Sequence, residues 1–218
     1  MAAGVEVRTG TKVEAVRPGP VVALPGEELA ASSVILAGLA PGAVAGLLGA
    51  ASPAAAGWAT GARPSRVAAL DVCLPGRWDG AASVVLGIDE PVYLSVHSVA
   101  AVTPAGSTLV SLLKYLRPDE PTDPDGDRAQ LERLLEVVRP GWRAGALEVR
   151  FLQRLVAAAD VPQAAAGGLA GRPGPEVPDL PGVLVAGDWV GPSGLLADAA
   201  LASAVAAGRA AAVVPVAA

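Results

Sequence analysis

The stretch "LPGVLVAGDWVGPSGLLADAALASAVAAGRAAA", residues 180–212, decides how the rest of the chain is read. A short apolar run, Val183 to Ala186, ends in Gly187-Asp188. A Gly/Pro loop follows, and then a helix that is almost entirely apolar. An apolar run without alternation suits a strand covered on both faces. A helix N-terminus behind such a strand carries about half a positive charge and several unpaired N–H groups. Gly191 and Gly194 let the backbone approach a ligand closely. Asp188, just ahead of that loop, either accepts hydroxyl hydrogen bonds from a polyol chain or caps the loop, and the spacing leaves both readings open. The N–H groups of Gly194, Leu195 and Leu196 suit an electron-rich ring edge or an anion. Along the helix, Asp198, Ala202, Val205 and Arg209 form one stripe, each charge at the end the dipole favours.

The same covered-strand pattern recurs near the start of the chain. "GVEVRTGTKVEAV" alternates on both sides of Thr9-Gly10 and predicts a hairpin. "VVALPGEELAASSVILAG" predicts a short strand, a Pro25-Gly26 turn and a fully apolar strand from Val34 to Ala37. "APGAVAGLLGAA" reads as a weak helix and "SPAAAGWATGARPS" as a loop. From Arg66 the pattern turns strand-like for some fifty residues, interrupted by Pro/Gly turns, which predicts an antiparallel sheet. Asp123-Pro124 marks a helix start. Leu131, Leu134, Leu135 and Val138 then fall at i, i+3, i+4 and i+7, and the helix stops before Pro140. "ALEVRFLQRLVAA" predicts one further strand or strand pair. Covered strands at both ends around an antiparallel block imply a mixed α/β (α+β) fold of two lobes. The first lobe is discontinuous, residues 1–60 and 166–218; the second, 61–165, is an antiparallel sheet with one amphipathic helix.

Composition narrows the functions. A net charge of −5 offers no basic footprint for nucleic acid. One histidine and one cysteine cannot build a His/Cys metal cluster. The single Cys73 points to a reducing, cytoplasmic compartment. "MAAGVEVRTG" places charge where a signal peptide needs an apolar segment. The closing helix has the length of a membrane span, but Asp198 and Arg209 favour a buried core helix of a soluble protein. His97 lies in "YLSVHSVA", sharing a strand face with Ser95 and Val99; a half-buried strand histidine is the plainer reading and a substrate-cavity residue the sharper one. With no G-x-S-x-G turn and no second histidine, a hydrolase triad has no support. Of Trp58, Trp78, Trp142 and Trp189, only Trp189 adjoins the loop in question.

Residues 180–212 resemble the C-terminal FAD-binding segment of the phytoene dehydrogenase-like and amine-oxidase-like flavoproteins. "GVEVRTGTKVEAV" followed by "SSVILAGLAP" is similar to the section of that family that returns to the FAD sheet. "LGIDEPVYLSVHS", "KYLRPDE", "RPGW" and "GGLAGRP" also resemble its members. The resemblance implies an FAD-dependent oxidoreductase that transfers hydride from an apolar substrate to flavin. It implies that Asp188 bonds the ribityl chain with Gly187 beside it in the cofactor site, that the N–H groups of Gly194, Leu195 and Leu196 face the pyrimidine edge of the flavin, and that Val13 meets the adenine through its backbone. The chain departs from the family in one respect. No two of its 26 glycines stand two positions apart, so the G-x-G-x-x-G turn that grips the pyrophosphate is absent from the sequence. In the family that turn precedes the section matched by Gly4 onward, so the expectation is the second half of such an enzyme, which self-associates or pairs with an N-terminal lobe. The alternative is a non-catalytic truncated or partner module that binds an apolar ligand or a missing N-terminal lobe.

Overall fold

The computed structural model describes residues 4–97 and 105–213. The chain forms two compact units, Met1–Pro64 with Ala158–Ala218, and Ser65–Ala157. Together the described residues form a mixed α/β structure with three sheets and four α-helices.

In the first unit, β1 (Ala15–Arg17), β2 (Val21–Leu24) and β3 (Glu27–Ala30) form an antiparallel sheet. This corrects the hairpin expected about Thr9-Gly10. A turn is present there, but residues 4–14 make no strand, and β1 pairs with β2 instead. The reason is burial. Val5 and Val7 stay exposed, whereas Val16 is fully buried, so only the later segment has an apolar contact to stabilise its pairing. β4 (Val34–Ala37) lies parallel to β10 (Val183–Ala186), with Val34 opposite Val183 and Ala37 opposite Ala186. All four β10 residues are buried. The backbone of residues 175–177 covers the outer edge of β10, through Val185 N–H to Pro175 O (2.7 Å) and Val177 N–H to Val183 O (3.0 Å).

Helix α1 (Pro41–Leu48) follows β4, and α2 (Pro53–Gly61) follows α1. The segment expected as a loop is therefore a helix. Its start carries the signal read correctly at Asp123-Pro124: Ser52 is the N-cap, accepting the Ala55 N–H at 3.1 Å, and Pro53 fills the first helical position. Asp179 completes the cap, accepting the Ser52 hydroxyl at 2.7 Å and the Ala54 N–H at 2.9 Å.

Helix α4 (Leu196–Val213) packs on β10 and β4. The expectation of a buried core helix is corrected: only Ala199, Ser203 and Ala207 are buried, an i, i+4, i+8 stripe, while Leu196, Leu201 and Val205 are exposed. The stripe expected through Asp198 and Arg209 lies on the exposed side. Among the described residues α4 is the helix long and apolar enough, by length and composition, to cross a membrane.

The second unit holds a five-stranded sheet in the order β6 (Val84–Leu86), β7 (Val92–Val96), β8 (Ser107–Leu116), β5 (Ser65–Pro75), β9 (Glu148–Ala158). The β6–β7, β7–β8 and β8–β5 pairs are antiparallel. Helix α3 (Pro124–Val138), capped by Asp123, lays Leu131, Leu135 and Val138 on one face of that sheet against Leu70, Val72, Leu94 and Leu112. On the same unit Lys114 is mostly buried between Asp127 (2.6 Å) and Glu120 (3.0 Å).

Candidate functional site

The parallel pair sets the site. Ligands of open α/β sheets bind outside the carboxyl ends of the strands, and both β4 and β10 end at one place. Gly187 closes β10. Its N–H donates to the Ser203 hydroxyl of α4 and its carbonyl accepts from it, both at 3.0 Å. A side chain at Gly187 would press on Trp189 Nε1, 2.9 Å from an added Cβ. Trp189 is buried, donates Nε1–H to Leu39 O beyond β4 at 2.8 Å, and tilts at 56° against Trp58 of α2 with ring centroids 5.5 Å apart. This contact ties the ends of β4 and β10 together, and it gives Trp58 a place beside the site that its spacing in sequence did not suggest.

Asp188 is half-buried. Its Oδ2 accepts the Ala159 N–H at 2.8 Å, and among the described residues Oδ1 has no hydrogen-bond partner. The loop cap that the sequence offered as one reading of Asp188 is not made: the side chain ties instead to Ala159, 29 residues away. The loop then passes through Gly191 (φ +78°) and Gly194 (φ +73°) to Leu196, whose φ of +50° is the one positive value at a non-glycine among the described residues. Such a conformation costs of order 1–3 kcal/mol and marks functional turns. It starts α4, whose first N–H groups have no intrahelical acceptor.

Arg172 is a site residue that sequence reasoning missed. The residue is nine-tenths buried, and its Nη1 donates to Gly194 O at 3.0 Å. The next residue, Pro173, accepts the Gly191 N–H at 2.8 Å. Arg172 also borders a cavity of about 180 Å³ with Trp58, Trp189, Gln163 and Asp160. Asp160 Oδ1 is taken by the Arg63 N–H at 2.7 Å. The signal in sequence was "GRPGP", a basic residue within an otherwise small and apolar loop. Val13 is half-buried and packs against the core that contains Trp189 and Val190.

His97 lies in the other unit. It sits just past β7, exposed rather than half-buried, with Nε2 2.8 Å from the Ser95 hydroxyl. The residues Ser98 and Val99 of the expected pattern lie outside the described residues. The register sets Ser95 opposite Ser111 and Ser111 opposite Asp71, so these three share one sheet face, the one turned away from α3. Ser111 donates to Asp71 Oδ1 at 2.6 Å. Tyr93, Leu109, Leu113 and Ala69 surround this polar row on the same face. Asp71 and Ser111 escape a reading of the sequence because only strand pairing aligns them.

The fold is shared with solved structures of about twice this chain's length. Among solved structures the chain is similar to an oxidoreductase from Methanosarcina mazei, with 18% identity and a TM-score of 0.66 over 92% of this chain and 49% of that one. Cyclohexylamine oxidase from Brevibacterium oxydans IH-35A gives 18% identity and a TM-score of 0.56 over 93% of this chain and 47% of that one. A Pyrococcus furiosus protein gives 16% identity and a TM-score of 0.59 over 95% of this chain and 48% of that one. The chain thus spans about half the length of each. No protein-family model matches it, and no curated protein does.

Proposed function

We propose that this chain belongs to an FAD-dependent oxidoreductase of the phytoene dehydrogenase or amine oxidase type and supplies the part that holds the flavin ring and ribityl chain. The observation that carries the reading is the β10–α4 turn: a carboxylate with one oxygen unpartnered among the described residues, two left-handed glycines and a left-handed Leu196 ahead of a long helix. Those features fit the group. Asp188 Oδ1 would accept ribityl hydroxyls; Gly194, Leu195 and Leu196 would offer N–H groups to the pyrimidine edge; Gly187 keeps the strand end narrow; Val13 would contact the adenine. The residues do not fit the pyrophosphate, for which this sequence offers no G-x-G-x-x-G turn.

When bound, flavin supplies hydride acceptance. The chain's own residues orient it and exclude water, Trp58 and Trp189 forming an apolar wall beside the turn. The apolar surround of the polar row on the second unit supports an apolar substrate, with His97 at its margin. The single cysteine supports a cytoplasmic location.

A second reading is supported by the outer edge of β4, which has no strand partner among the described residues, and by the exposed apolar side of α4. Both suit completion by an N-terminal lobe or a second copy of the chain. Titration of the purified chain with FAD, followed by quenching of flavin fluorescence, tests the first reading. Saturable binding weakened in Asp188→Ala supports it, and binding unaffected by that change removes Asp188 from the site. Sizing chromatography tests the second.

A further inference from the structure

The Arg172 guanidinium is the largest unbalanced group beside the β10–α4 turn. Arg172 as a residue is nine-tenths buried, its Nε is buried and has no hydrogen-bond partner among the described residues, and no carboxylate of those residues lies within the 4.0 Å of an ion pair. A buried cation without a counter-ion is costly. The nearby carboxylates do not supply one. Asp160 braces the Arg63 N–H, Asp188 braces the Ala159 N–H, Asp198 is exposed on the first turn of α4, and none of the three forms an ion pair with Arg172. What Arg172 does hold is the carbonyl of Gly194. That bond orients the peptide ahead of Leu195 and so presents the N–H groups of the α4 N-terminus away from it.

From these observations, and resting on the flavin reading above, we infer that Arg172 is the positioning residue of the ring-edge subsite. It fixes the Gly191–Leu196 turn through Gly194 O and lends it an uncompensated positive charge, so that the subsite favours a planar ligand carrying negative charge along the edge that the turn faces.

The test compares the full chain with Arg172→Lys and Arg172→Met, each first checked for near-ultraviolet circular dichroism equal to wild type. Amide hydrogen exchange without flavin reads positioning. The N–H groups of Gly191, Asp198 and Ala199 are held by Pro173 O and Leu195 O. They should exchange at least about tenfold faster in Arg172→Met and recover in part in Arg172→Lys. Unchanged exchange in Arg172→Met overturns the positioning role.

Spectral titration of the N3–H proton of bound FAD reads charge. Removing the cation should move that ionisation upward by on the order of one pH unit in Arg172→Met and far less in Arg172→Lys. No difference between wild type and Arg172→Met overturns the charge role. A wild-type chain that binds no FAD overturns the flavin reading and the ring-edge assignment with it, while exchange still decides whether Arg172 holds the turn.

Discussion

The Ser203 hydroxyl bridges both backbone groups of Gly187, accepting its N–H and donating to its carbonyl at 3.0 Å, and shares its one proton with Ala200 O at 2.9 Å. One small side chain thus fastens α4 to the end of β10 at the point where the site begins. In Ser203→Ala the buried Gly187 N–H loses its acceptor. The expected loss is about 1–3 kcal/mol of stability, read as a lowered midpoint in urea. Ser203→Thr keeps the hydroxyl and should lose less.

Asp188→Asn separates the tie to Ala159 from the proposed contact with ribityl hydroxyls. The amide keeps an oxygen for the Ala159 N–H, so stability should fall by less than about 1 kcal/mol, whereas Asp188→Ala should cost about 1–3 kcal/mol, because it abolishes the tie. Denaturation of the two variants side by side checks the difference. A carboxylate-specific role toward ribityl hydroxyls would appear as weaker FAD binding in both.

Gly194→Ala tests the geometry of the turn. At φ +73° an alanine is strained, and its Cβ would stand 2.8 Å from Asp198 Cβ. We expect a loss of about 1–2 kcal/mol and faster amide exchange at Asp198, measurable by mass spectrometry. Gly191→Ala shares the backbone strain but meets nothing within 4 Å, so it should be milder.

In the second unit, burial pushes the Lys114 ammonium down, but the hydrogen bonds and charges of Asp127 and Glu120 outweigh it and hold the group above the ordinary lysine value. A raised folded value means a contribution present below the ordinary value of about 10.4 and lost as pH climbs through the folded one. Lys114→Met should cost about 3 kcal/mol, because Asp127 would remain buried and unpaired, and should flatten the alkaline limb of thermal stability.

Acid should loosen both units through different carboxylates. The Arg117 N–H, then Lys114, hold Glu120 below its usual range; the Ala54 N–H, then the Ser52 hydroxyl, do the same for Asp179. Depressed folded values give stability that is present above the ordinary carboxylate range and lost as pH falls through the folded values. The melting temperature should therefore drop below about pH 4, and Asp179→Asn should remove part of that slope in the first unit.

Local chemistry was legible where neighbours in sequence carry it. The covered strands, the Asp123 cap with its leucine stripe, and the Gly187-Asp188 turn follow from periodicity and from residues one to four positions apart. The helix at Ser52-Pro53 obeyed the same capping rule and was passed over because an Ala/Gly-rich segment shows no amphipathic period. The Thr9-Gly10 hairpin failed for the opposite reason: alternation was present, but burial was not. Trp58 and Arg172 stand 131 and 17 positions from Trp189 in sequence, distances at which no local pattern operates.

Local sequence was enough for the covered strands, the Asp123-capped helix and the turn before α4, because backbone preference and hydrophobic period act over a few residues. Packing chose which strand edge β10 meets, set Ser203 rather than the Asp198–Arg209 stripe against it, and brought Arg172 to the Gly194 carbonyl. Those outcomes depend on which surfaces exclude water together, and that is a property of the packed chain.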